Sequence, residues 1–223
     1  MRIRAVLVAL AVVASCLAAA NLAQPGIALA ACARPSGTMV AYGHSYLHSP
    51  RIGGAPASYA TLAASALGAT PVIRAVNGDT TLDVERLVRQ GPTQWVPGSA
   101  KLVVIDSAIN DIGRRLPAAQ WTGALRRTLN TFATAPVPTI LLLRPLPVTR
   151  AGHPGRYPGV LARYAEAQRS VAAQFSAVRV VDASAGWNPR LDLSADGLHP
   201  NAAGMQHIAR ALEGNVQRSS CQP

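Results

Sequence analysis

Lysine is almost missing from this 223-residue chain: Lys101 stands alone among 21 basic side chains, so the other 20 are arginine. Acids are scarce too. Ten Asp and Glu against 21 Lys and Arg leave a formal charge of +11. Such an excess can mark a nucleic-acid binder, but zinc-finger spacing, an RNA-binding motif and any long basic run are all lacking, which argues against a nucleic-acid partner. Two readings of the charge remain: an arginine-rich soluble surface, or attraction to an anionic envelope polymer or lipid headgroup. Beyond the first 30 residues no stretch is apolar enough to span a membrane. Internal repeats and interdomain linkers are absent as well. The Gly/Pro/Arg-rich stretches 47–56 and 144–158 read as loops inside one domain.

Cysteine is sparse, with only Cys16, Cys32 and Cys221. The start of the chain explains how they would be used. Arg2 and Arg4 form a basic n-region, residues 5–14 begin an apolar run, and Ala28-Leu29-Ala30 is a small-residue cleavage site. Asn21, Gln24, Pro25 and Gly26 interrupt the run, which suits a cleaved export signal better than a permanent span. Residues 1–30 are therefore expected to be a signal peptide and 31–223 a single domain, long enough for a sizeable core. Cleavage would remove Arg2 and Arg4 and leave 19 basic residues against 10 acidic, or +9. Cys32 and Cys221 would then flank the domain, and an exported chain with two cysteines favours a disulfide between them. Leu29-Ala30-Ala31-Cys32 also resembles a bacterial lipobox, as does Val13-Ala14-Ser15-Cys16. Lipid anchoring at the envelope is thus the alternative to secretion.

What the chain does have is a regular alternation of strand and helix patterns. Strands are expected at 38–42, 72–76, 101–106, 139–143 and 178–182. Helices are expected at 55–67, 82–90, 117–133, 160–175 and 201–212. Strands joined by helical crossovers imply a parallel sheet covered on both faces, a three-layer α/β/α sandwich with five strands.

Near the carboxyl end, Asp196-Gly197-Leu198-His199-Pro200 places a carboxylate three residues before an imidazole on a turn. Pro200 suits the first helical position and biases His199 toward an extended conformation, so His199 is expected as the helix cap. Asp196 can accept the Nδ1 proton of His199, fixing its tautomer and leaving Nε2 as a general base. A base so placed implies a nucleophile. Ser45 is the candidate: it follows a buried strand, and Gly43 permits a sharp turn that lifts it off the strand end. In open α/β sheets that end is where ligands bind.

These motifs, with two between them, resemble the SGNH (GDSL-type) hydrolases, a family of serine esterases and lipases. Gly43-His44-Ser45 stands for Gly-Asp-Ser, Asn77-Gly78-Asp79-Thr80-Thr81 for the glycine block, Ala108-Ile109-Asn110-Asp111 for Gly-x-Asn-Asp, and Asp196-Gly197-Leu198-His199-Pro200-Asn201 for the last block. The resemblance spans 38–213. It implies a flavodoxin-like fold and a Ser45-His199-Asp196 triad. It also implies an oxyanion hole made by the backbone amides of Ser45 and Gly78 and the side-chain amide of Asn110, with no cofactor. Two positions depart from the pattern: His44 stands for the usual Asp and Ala108 for the usual Gly.

The expected function is therefore a secreted, monomeric serine hydrolase of carboxylic esters of lipids or glycans. Two alternatives stay open: an O-acyltransferase on envelope glycans, and an exported binding protein that kept the fold and lost catalysis. Gly-x-Ser-x-Gly is absent, which argues against an α/β-hydrolase elbow. His44 and His48 lie four apart, but no third ligand accompanies them, so no metal is expected. A protonated His44 would disfavour the imidazolium of His199 and lower activity on the acid side. Trp95, Trp121 and Trp187 are expected to pack, with Trp187 closest in sequence to the catalytic turn. The loops 46–54 and 144–158 lack Asp and Glu but carry His48, Arg51, Arg150, His153 and Arg156. They should rim the cleft, with Arg150 and Arg156 as candidate contacts for an anionic ester.

Overall fold

The computed structural model describes residues 37–90, 100–133, 139–149 and 158–220. The expected signal at 1–30, the Cys32–Cys221 disulfide, Trp95 and the rim residues Arg150, His153 and Arg156 all lie outside the described residues.

β1 (Gly37–Gly43), β2 (Ala69–Ala75), β3 (Ala100–Asp106), β4 (Ile140–Leu143) and β5 (Val178–Val181) form one sheet. Its order is β2-β1-β3-β4-β5, and every neighbouring pair is parallel. All five expected strands are present, with no end displaced by more than three residues. The chain moves from β1 to one edge and then returns to the other side of β1. The order therefore reverses between β1 and β3, and a crevice opens at the carboxyl ends of those two strands.

Both faces of the sheet are covered. Met39, Ala41, Leu102, Val104, Leu141 and Leu143 pack with α2 (Tyr59–Leu67) and α8 (Ala202–Ser220). The alternate residues Val40, Tyr42, Val103, Ile105, Ile140 and Leu142 pack with α3 (Thr81–Gln90), α5 (Ala118–Ala133) and the end of α6 (Pro158–Ala172). The period-2 alternation of a strand divides the central residues between two cores. Each fully buried Val, Leu or Ile contributes roughly 1.5–3 kcal/mol. Trp121 stacks on Tyr164 at 4.7 Å, and Trp187 donates from Nε1 to the Pro147 carbonyl at 2.8 Å. Both tryptophans serve packing, as expected.

Helix ends differ from the expected ones for local reasons. The single helix expected at 55–67 is interrupted: Ala55–Ala57 make a 3₁₀ turn, and Ser58 (ψ 151°) caps α2 by accepting from Thr61 N at 3.3 Å. A hydroxyl that satisfies an orphan donor starts a new helix there. Gly68, in the left-handed region at φ 71°, ends α2 as expected. At α8 the expectation fails by two residues. Pro200 is not the first helical residue; it bridges Leu193 in an antiparallel contact. Asn201 is the cap in place of His199, accepting from Gly204 N at 3.0 Å. α8 also runs past 212, because Val216 extends the apolar stripe of Met205, Ile208, Ala209 and Leu212.

Candidate active site

The nucleophile candidate sits at the reversal of the sheet. Ser45 is the first residue of α1 (Ser45–His48), immediately beyond β1. Gly43 is needed there for space, not for a positive φ: a Cβ would come within 3.0 Å of Asp106 Cβ and of its carbonyl oxygen. As the first residue of a helix, Ser45 presents an N–H that has no intrahelical acceptor.

His199 arrives from the opposite end of the chain. Its Nε2 lies 2.9 Å from Ser45 Oγ, and its Nδ1 lies 2.7 Å from Asp196 Oδ2. The turn 194–199 holds this geometry. Asp196 Oδ1 accepts from Leu198 N at 2.9 Å, from His199 N at 3.0 Å and from Ser194 Oγ at 2.9 Å. Partial burial alone would raise the Asp196 carboxyl, but these donors and the His199 ring overcome it and hold the group well below the usual carboxylate range. Asp196 therefore stays ionised across the working pH range. Gly197 (φ 67°) turns the chain between acid and base, and a Cβ there would collide with the Thr149 side chain.

Two supports were not foreseen. Tyr46 donates from its hydroxyl to the Leu198 carbonyl at 2.7 Å, tying the nucleophile helix to the histidine turn. Arg51 reaches Asp196 Oδ2 at 3.4 Å, although its side chain is largely exposed and such a contact is worth little. The Tyr46 contact spans most of the chain, so no local sequence signal could have shown it.

The expected oxyanion donors converge from two further loops. Gly78 adopts φ 84°, so its glycine answers a backbone requirement; a Cβ would find only Arg114 Nη2, at 3.6 Å. Among the described residues nothing accepts from its N–H. Asn110, in α4 (Ile109–Gly113), donates from Nδ2 to the Asp79 carbonyl at 2.8 Å, which fixes the amide and leaves its second N–H for a ligand. Asp111 anchors the same junction by accepting from Thr81 N and Oγ1 at 3.0 and 2.9 Å. Ala108, where the resembling family has Gly, is held at φ 81°. A non-glycine residue in such a region costs roughly 1–3 kcal/mol. Serine hydroxyl, imidazole and carboxylate are in contact beyond the end of β1, and the loops that carry the two idle donors follow the neighbouring strands β2 and β3, an arrangement suited to acyl transfer.

Residues 41–207 match the GDSL-like Lipase/Acylhydrolase family. The chain belongs to that family. It is a carboxylic ester hydrolase, and the family's four letters, Gly-Asp-Ser-Leu, are here Gly43-His44-Ser45-Tyr46. No curated protein matches this GDSL-type chain. Solved structures share its fold at low identity. The lipase/acylhydrolase from Enterococcus faecalis is 18% identical over 82% of this chain and 96% of that one, with a TM-score of 0.67. TesA is 18% identical over 82% of this chain and 99% of that one, with a TM-score of 0.66. A catalytic mutant of Axe2, an acetylxylan esterase from Geobacillus stearothermophilus, is 20% identical over 81% and 94%, with a TM-score of 0.63.

Proposed function

We propose that this hydrolase is an exported esterase in which Ser45, His199 and Asp196 act as the catalytic triad. The observation that carries the reading is the unbroken contact from Ser45 Oγ to His199 Nε2 (2.9 Å) and from His199 Nδ1 to Asp196 Oδ2 (2.7 Å). In the first half-reaction Nε2 takes the hydroxyl proton while Oγ bonds to the ester carbonyl carbon. The tetrahedral oxyanion is received by the amides of Ser45, Gly78 and Asn110. His199 then returns the proton to the departing alcohol, leaving an acyl-serine. Water, activated by the same imidazole, completes hydrolysis.

Export rests on the basic, apolar and small-residue sections of 1–30. For substrate we propose acyl or acetyl esters of lipids or glycans, with an anionic group on the alcohol side. Acetylxylan esterase activity in Axe2 and the lipase/acylhydrolase of E. faecalis bracket this class. A cavity of about 410 Å3 lined by Arg51, Ile52, Leu62, Ser194, Met205 and Gln206 contains none of the triad residues and touches the site only through Arg51 and Ser194, which contact Asp196.

The test is labelling by a fluorophosphonate, with mass mapping of the modified peptide, beside turnover of esters from acetyl to long-chain acyl and of one anionic ester. Labelling at Ser45 with turnover of at least one ester is expected. A wild-type protein that neither labels nor turns over any of them would refute the reading.

Asn110→Ala should lower kcat by roughly 10²–10³-fold with little change in KM, the loss of one oxyanion donor. The Asp79 carbonyl also loses its donor, so stability should fall by about 1 kcal/mol. Steady-state kinetics with a short ester decide it: a change in KM alone would assign Asn110 to ground-state binding.

A further inference from the structure

A second imidazole stands directly behind the nucleophile, and the triad makes no use of it. His44 is fully buried, as 0% exposure shows. It is the N-cap of α1, with Nδ1 facing the Tyr46 N–H at a long 3.5 Å. To accept there, Nδ1 must be free of hydrogen, so the ring hydrogen belongs on Nε2. Nε2 lies 3.1 Å from Asp106 Oδ1, in charge–dipole contact but off the line of a hydrogen bond. Asp106 Oδ2 in turn accepts from the Tyr59 hydroxyl at 2.9 Å. Burial, with the Asp106 charge adding to it, pushes the Tyr59 phenol well up, so Tyr59 remains a donor.

The three side chains come from three elements. His44 joins β1 to α1, Asp106 ends β3 and Tyr59 opens α2. The close passage of Gly43 against Asp106 brings them together. Asp79 and Asp111 also lie near enough to feel a charge on His44. The Tyr46 ring lies T-shaped to both His44, with centroids 4.9 Å apart, and His199, at 6.0 Å. The sequence expectation concerned a protonated His44; the structure places the Asp106 carboxylate 3.1 Å from its Nε2. His44 touches the backbone of the turn that presents both Ser45 Oγ and Ser45 N–H.

We propose that His44 is a positioning residue for ester hydrolysis: its Nδ1 caps the turn that presents Ser45, while Asp106, held by Tyr59, fixes the ring from behind. Where the family name spells Asp, this chain has an imidazole that faces the Asp106 carboxylate at the end of the neighbouring strand β3. This rests on Ser45 being the nucleophile. A shift of about 1 Å in a reacting group can cost on the order of 100-fold in rate, so a loosened cap should be felt in kcat.

Two substitutions separate the two ends of the ring. His44→Asn keeps an acceptor near the Nδ1 position and gives up Asp106. His44→Gln extends toward Asp106 and gives up the cap. In the full chain, His44→Asn should retain kcat within about threefold of wild type, and His44→Gln should lose roughly 10–100-fold. KM should stay unchanged in both, and fluorophosphonate labelling rates should follow kcat. Melting temperatures measured alongside identify simple unfolding, and Asp106→Asn, which loosens the ring without touching the turn, should lower kcat at unchanged KM. A labelled wild type whose His44→Asn and His44→Gln variants have equal kcat overturns this proposal alone. A wild type that takes no label at Ser45 overturns the nucleophile assignment and this proposal with it.

Discussion

Ser45→Ala should reduce ester hydrolysis to the level left by binding and oxyanion stabilisation alone, a fall in kcat of about 10⁶-fold on the scale of nucleophile loss in a serine protease. The acyl-enzyme route disappears with the hydroxyl, and nothing in the site replaces it, since Tyr46 is committed to the Leu198 carbonyl. The fold should survive. Ser45 is buried, but its oxygen has one side-chain contact, His199 Nε2, and alanine fits the same helix position. Stability should change by no more than about 1 kcal/mol. Thermal melts and initial rates on a short ester measure both. A variant that retains more than about a few per cent of wild-type kcat, beyond what trace contamination could supply, would show that another group is the nucleophile.

The layered sheet was legible because its evidence is local. Residues 102–105 and 140–143 are buried on both faces and read as continuous apolar runs, as parallel strands do. Gly68 could be read as a stop for α2 because the left-handed position it fills is a property of one residue. The break at Ser58 was not legible. Alanine-rich pattern runs through it, and only the capping bond to Thr61 N decides where α2 begins. The start of α8 was misread for a similar reason. Pro200 has the right φ for a first helical residue, but its contact with Leu193 and the cap supplied by Asn201 take precedence.

In the site, short-range relations were readable and long-range ones were not. Asp196 and His199 are three residues apart, so their pairing follows from one turn. Asn110 and Gly78 were placed by resemblance, and the structure supplies different reasons for them: a bond to the Asp79 carbonyl and a positive φ. Tyr46 reaches Leu198 and His44 reaches Asp106 across the sheet reversal, where no periodicity carries information. Ala108 marked a departure from the family pattern, and its φ of 81° is a value that glycine adopts far more readily than alanine.

Asp196→Asn should be strongly damaging, although it only replaces one carboxylate oxygen by NH₂. Asn Oδ1 can still accept from Leu198 N, His199 N and Ser194 Oγ, so the turn should hold. At the Oδ2 position an NH₂ would face Nδ1–H, donor against donor. The ring would then carry its hydrogen on Nε2, where it cannot take the Ser45 proton. In an analogous protease triad this exchange costs about 10⁴ in kcat. A similar fall is expected here, because Asp196 Oδ2 is the partner that the structure gives Nδ1. Stability carries an independent signature. The carboxyl is held below its unfolded value, so its contribution is present above about pH 4 and is lost as pH falls through the folded pKa. Wild type should therefore exceed Asp196→Asn in melting temperature at neutral pH, and the gap should close in strong acid. A variant with wild-type kcat would remove Asp196 from the triad. A gap in melting temperature that is the same at pH 7 and in strong acid would show that its carboxylate charge does not stabilise the turn.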